Sequence, residues 1–249
     1  MIYINGYSYT KMDGSDGIES LAANLKIAAY RPFEHISAAQ KKQMRRTGTF
    51  HTSAIKAAVG TGLSRLSAER LQNTAIILVS KFGDQDTTGN FIDDLIDYGM
   101  DQGSPIKFAH SNHNTAAAYL AKLLDIGGSG FTIVNFEEAF SNGLELAEAN
   151  LNMGFCRDTI LLQVESWSNL TKILDSDEAG RTAGKINIAE GDGCEAACIF
   201  LSTIEDNWNL CELNKLDRPL SESIFLEQTR LGDAIQFIAA VLRESSRES

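Results

Sequence analysis

Hydrophobic and polar positions along this chain follow two rhythms, and their alternation predicts strands interleaved with helices. Residues 1–6 open as a short apolar strand ending at a turn on Gly6. Residues 10–35 are mixed and read as loop plus a short helix around 18–26. Apolar residues at 54, 55, 58, 59 and 63 mark one face of a helix. Thr74-Ala75-Ile76-Ile77-Leu78-Val79-Ser80 is continuous, as expected of a strand covered on both faces. Residues 91–98 return to helical spacing, and 105–113 read as a loop or short extended piece. A helix over 115–125 carries Ala116, Ala117 and Ala118 on one side. A strand over 130–136 and a helix over 139–152 follow, the helix stopping at Gly154. Further strands are expected at 158–165, within 189–201 and over 208–216, where apolar and polar positions alternate. The tail, 230–242, is an amphipathic helix.

Strands alternating with helices imply an α/β fold with a mixed, mostly parallel sheet covered by helices. At 249 residues with 43% hydrophobic content, the chain suits one large domain with a sizeable core. Net charge is −11, which makes a nucleic-acid backbone an unsuitable partner. Cys156, Cys194, Cys198 and Cys211 lack paired spacing and read as buried free thiols in a reducing compartment. No leader-like segment and no apolar run of membrane-spanning length is present, so the expectation is a soluble, cytoplasmic protein. His110 and His113 with Glu137 or Glu138 offer donors that suit zinc or iron, but their spacing matches no dedicated motif. The acidic glycine-rich stretch around Gly191 and Gly193 lacks the EF-hand pattern, and the two glycines are assigned to turn geometry. Neither a metal nor another cofactor is expected. Arg45 and Arg46 are either a solvated pair or cations that tether a loop.

The stretch SGFTIVNFEEAFSNG, residues 129–143, organises the rest. A strand here feeds straight into a helix, and Glu137 holds the turn, where orphan N–H groups and the helix dipole favour an anion or a nucleophile. Upstream stand Asn114-Thr115-Ala116-Ala117-Ala118-Tyr119-Leu120 and Gly127-Gly128-Ser129-Gly130. Together these residues resemble the segment of β-ketoacyl-acyl carrier protein synthases that leads to the catalytic cysteine. There an Asn opens a small-residue helix (N-x-x-A-G-H), a G-x-x-G-P turn follows, and a strand ends at the Cys. The match runs from Asn114 to Glu137 without a gap. Glu137 stands at the nucleophile position, while Ala118, Tyr119 and Ser129 replace the Gly, the His and the Pro. Weaker likeness extends over residues 1–205: Arg45-Arg46 with the helix at 52–59, the strand at 158–165, and the strand at 189–201. In the strand at 158–165, Gln163, Val164 and Glu165 replace small residues of the family.

The resemblance implies a thiolase-like fold, the N-terminal half of a ketosynthase, in a single domain over 1–249. Residues 206–249 form a remnant strand and C-terminal helix. The half that carries the family's two catalytic histidines has no counterpart, and all four histidines here precede residue 114. Claisen condensation needs a thiolate to hold the acyl chain and histidines to assist decarboxylation. The resemblance therefore implies a chain length factor, without independent activity, that heterodimerises with a full-length β-ketoacyl synthase in polyketide, fatty-acid-like or aryl polyene-type biosynthesis. In that reading Phe131, Thr132, Ile133, Val134, Asn135 and Phe136 form the interface strand. Lys107, Phe108 and His110 set the depth of the partner's acyl tunnel, or are ordinary loop packing. An acyl carrier protein is engaged only indirectly, since carrier proteins are themselves acidic. Two alternatives stand beside it: a malonyl-carrier decarboxylase using Glu137 as acid or base, and an inert homodimeric scaffold.

Overall fold

The aliphatic run at 74–80 forms β3 (Thr74–Ser80), and each of its residues is buried. A strand without a polar face is stable only between two layers. The computed structural model, which describes residues 1–13, 18–19, 38, 42, 47–167, 193–206, 209–216 and 231–248, sets it inside a mixed sheet. β3 pairs in parallel with β4 (Gly130–Val134) on one side and β5 (Asp158–Trp167) on the other. β6 (Gly193–Ser202) then runs antiparallel to β5, and β1 (Tyr3–Asp13) antiparallel to β6. The order is β2-β1-β6-β5-β3-β4, with β2 (Ile18–Glu19) against the end of β1 and β7 (Cys211–Glu212) against its start. Strands β1, β3, β4 and β5 thus share one direction and β6 opposes them.

Helices cover both faces. On one face Ala75, Ile77 and Val79 join Phe140 and Leu144 of α6 (Ala139–Asn152) and Phe237 and Ile238 of α7 (Gly232–Glu248). On the other, Ile76, Leu78, Ile160, Leu162 and Phe200 meet α1 (Thr49–Gly60) and α5 (Thr115–Leu124). Ala54, Ala57 and Ala58 of α1 have no exposed surface. Their small side chains let the helix lie close on the sheet. α2 (Ala68–Gln72) precedes β3 and carries Arg70, which donates to Asp158 at 2.6 and 2.9 Å and to Asp206 at 2.7 and 3.0 Å. Those two carboxylates hold the Arg70 guanidinium above its ordinary pKa, against the opposing pull of burial. The cluster ties the start of β5 to the chain beyond β6. All four cysteines are buried, and none forms a disulfide among the described residues.

Several expectations change. β1 does not stop at Gly6 but continues to Asp13, with a register shift between Ile4 and Gly6. The glycine marks a bulge where the strand backs onto the Thr61 carbonyl and leaves no room for a Cβ. Residues 105–111 are not a loop: Pro105–Ser111 is α4. Ser104 Oγ accepts the Lys107 N–H and Pro105 occupies the first turn, both helix-start signals. The helix at 91–98 begins earlier, as α3 (Gln85–Tyr98), because Asp84 caps it by accepting the Thr87 N–H at 3.2 Å. Of the strand expected at 208–216 only β7 forms, followed by a 3-10 turn at Leu213–Lys215, and Trp208 lies outside the described residues. Ala118 is exposed, whereas Ala116 and Ala117 are buried. Gly193 sits within β6 opposite Asp13 and Trp167 rather than in a turn. The helix expected at 18–26 begins instead with β2, and the rest of that span, with Arg45, Arg46 and Gly191, lies outside the described residues.

Candidate functional site

β4 borders the sheet. Among the described residues it pairs with β3 alone, so its outer N–H and C=O groups have no ladder partner. Phe131 and Val134 are 38% and 41% exposed on this edge. The strand hands over to a turn at residues 135–138 that Asn135 organises. Its backbone N–H donates to the Ser80 carbonyl at 3.1 Å, and its Oδ1 accepts the N–H of Glu137 at 3.2 Å and of Glu138 at 3.5 Å. This is an Asx-type turn. The Phe136 ring meets Phe82 edge-on, with centroids 5.1 Å apart.

Glu137 lies in that turn, two residues before α6 begins at Ala139. Its carboxylate makes no hydrogen bond to the first N–H groups of α6, which has no side-chain cap; Asn135 accepts the N–H groups of Glu137 and Glu138, which precede the helix. Its side chain is exposed and has no hydrogen-bond or ion-pair partner among the described residues. A side chain exposed in an open turn does not exclude water from an acyl group.

The chain between β3 and α5 forms an arm made of α3, a 3-10 turn at Met100–Gln102, and α4. Neither helix of the arm has a fully buried residue. Ile96, Met100 and Phe108 are 75%, 86% and 65% exposed, and Ile92, Tyr98 and Ile106 are exposed as well. The arm holds itself together: Phe91 meets Phe108 at 5.6 Å between centroids, and Lys107 Nζ pairs with Asp94 Oδ2 at 2.5 Å. Of the three sequence-predicted tunnel residues, Phe108 therefore faces outward, Lys107 is engaged by Asp94, and His110 turns toward the core.

His110 Nε2 lies 3.1 Å from Tyr119 Oη, and the buried His51 ring of α1 lies 5.6 Å from both rings. His51 Nδ1 is 3.5 Å from Asp84, the cap of α3. Burial pushes His51 below the ordinary histidine value, while Asp84 pulls it back and His110 lowers it further. This hub fastens the arm to the body of the protein. Just beyond the arm, Asn114, the residue before α5, accepts a hydrogen bond from Thr132 Oγ1 at 3.1 Å and so ties β4 to the start of α5. β4 and the arm thus flank the start of α5. Of the six residues expected on one interface strand, Phe131 to Val134 lie on β4, with Ile133 packed on the core, while Asn135 and Phe136 lie in the turn; Phe108 is on the arm.

Sequence reasoning passed over a second feature. Glu165 and Glu195 are register partners on β5 and β6, and both are buried. Glu165 accepts the Lys81 N–H at 2.8 Å, the Ser80 hydroxyl at 3.1 Å and Gln163 Nε2 at 3.3 Å. Burial nevertheless pushes its carboxyl up to about 7. The Tyr9 hydroxyl donates to Glu195 at 3.3 Å. The visible signal was an acid ending an otherwise apolar strand run. Among the described residues no three His, Cys, Asp or Glu side chains are placed to hold a metal, so His110, His113, Glu137 and Glu138 do not converge on one. No helix among the described residues is long and apolar enough to cross a membrane.

Neither protein-family models nor the curated proteins give a match to the chain. Solved structures do. A ketosynthase in complex with its chain length factor, from Xenorhabdus doucetiae, aligns at TM-score 0.55 and 16% identity over 80% of this chain and 79% of that one. The nearly equal shares mean that the two chains are similar in length. The ishigamide ketosynthase/chain length factor aligns at TM-score 0.53 and 13% identity, covering 81% of this chain and 62% of that chain. A β-ketoacyl synthase from Burkholderia phymatum aligns at TM-score 0.57 and 14% identity, covering 81% and 58%. The chain therefore spans roughly three fifths of the latter two, and what it shares with all three is architecture. A central strand covered on both faces, helices α1 and α5 on one side and α6 and α7 on the other, and the β4 turn at the border make up the thiolase-like fold of the ketosynthases.

Proposed function

We propose that this chain is a non-catalytic ketosynthase-like subunit, a chain length factor, that pairs through β4 and the arm with an active β-ketoacyl-acyl carrier protein synthase. One observation carries the reading. The turn that would present a nucleophile instead presents an exposed Glu137 whose side chain has no hydrogen-bond or ion-pair partner among the described residues, near a strand edge that is likewise unpaired among them and an arm with exposed apolar side chains. A carboxylate there cannot take up an acyl chain as a stable thioester, so the thiolate must come from the partner. The edge would be an aggregation hazard if left open, and a second subunit removes it. The decarboxylase alternative finds no enclosed site at Glu137, which is exposed to solvent. The pathway class we assign is polyketide or fatty-acid-like chain building of the aryl polyene type. Acyl carrier protein would then dock on the synthase subunit.

In this reading Phe108 projects across the interface and closes the far end of the partner's acyl tunnel, with Lys107 and His110 holding α4 in place. The test is a product profile from the reconstituted pair. Phe108→Ala is expected to lengthen the principal product by at least one two-carbon unit, and Phe108→Trp to shorten it, with acylation of the synthase cysteine unchanged. An identical product distribution from both variants in an intact complex would refute the tunnel role.

A further inference from the structure

The arm exposes several large apolar side chains, and its charge is predominantly acidic. From residue 85 to 111 the sequence contains five carboxylates, Asp86, Asp93, Asp94, Asp97 and Asp101, and a single lysine, Lys107. Asp94 consumes that lysine in a 2.5 Å ion pair. Ile92 and Ile96 are four residues apart on α3 and so line one stripe. Asp93 and Asp97, also four apart, line the stripe beside it. The turn that follows adds exposed Met100 and Asp101 in the same order. Asp93, Asp97 and Asp101 have no ion-pair partner among the described residues. At the end of β4, Glu137 and Glu138 are likewise exposed.

Resting on the interface reading above, we propose that this surface takes a partner whose matching face is apolar and bordered by lysine or arginine, and that its acid stripe works against pairing with a second copy of this chain. Charge complementarity fixes the occupant. Two copies, each at −11, would bring the same unpaired aspartates toward one another over an apolar seam. Like charges brought together suppress a wrong partner, while opposite charges steer the right one. A basic border on the partner would neutralise Asp93, Asp97 and Asp101 as Ile92, Ile96 and Met100 are covered. The apolar stripe supplies adhesion and the acid stripe supplies choice.

The test compares the full chain with a D93N/D97N/D101N variant and with Phe131→Asp. The probe is the β-ketoacyl synthase encoded nearest to this chain. Association rates are read at 50 and 500 mM salt, and self-association of each free chain by sedimentation. The native rate is expected to fall on the order of 10-fold across that range, because exposed charges are screened. The triple variant should start at the lower rate, show little salt dependence, and self-associate on the order of 10-fold more strongly. If it keeps the native salt dependence and self-association while Phe131→Asp abolishes capture, the charge proposal fails and the interface reading stands. If Phe131→Asp also leaves capture intact, or the native chain does not bind the synthase, the interface reading itself fails. In that case unchanged self-association of the triple variant separately overturns the proposal.

Discussion

Glu165 is buried opposite a second acid, Glu195, and three donors to its carboxylate do not offset the loss of water. The folded protein therefore keeps a proton at this position that the unfolded chain has already lost. Because the folded pKa is the higher one, the stability this proton contributes is fully present below the unfolded value. It is lost as the pH rises through about 7. Denaturant titrations at pH 5, 6, 7 and 8 should show native stability falling relative to Glu165→Gln. The gap should reach at most on the order of 3 kcal/mol. Parallel pH profiles for the two proteins would show that Glu165 ionises normally in the fold. Residue chemistry was only partly legible in the sequence. Glu137 could be placed in the turn because an apolar strand run passes straight into a helical one, but the Asx turn that Asn135 makes there was not legible, since it depends on backbone direction. His51 was missed because a histidine inside an alanine-rich helix carries no local mark of the Asp84, His110 and Tyr119 it meets in space.

At the scale of elements, α6 follows the turn and must lie close against the sheet. Gly143 sets that distance: a Cβ there would run into the side chains of Val79 and Leu161. Intrinsic helix propensity alone predicts that Gly143→Ala gains about 1 kcal/mol. Overpacking should win, and the variant is expected to lose about 1–3 kcal/mol in urea unfolding. A stabilised Gly143→Ala protein would mean that α6 has room to rise from the sheet. The β3, β5 and α6 elements were legible because a long apolar run or a full helical repeat leaves few alternatives. α4 was not read as a helix, since its seven residues are too few to show a period, although Ser104-Pro105 marked its start. The extension of β1 past Gly6 was hidden because a bulge and a turn call for the same residue.

Across the whole molecule the alternation of strands and helices fixed the fold class, but not the strand order. That order follows from which apolar faces bury one another over long separations, such as β1 pairing with β6 almost two hundred positions away. It is the order that leaves β4 at the border with the arm beside it, and so turns a motif into a surface. The central claim is that this surface belongs to a partner. It is tested most directly by co-expressing the chain with the β-ketoacyl synthase encoded nearest to it and measuring the mass of the purified particle. The account predicts a stable one-to-one heterodimer. A self-contained homodimer, or a chain that purifies alone and ignores the synthase, would contradict it.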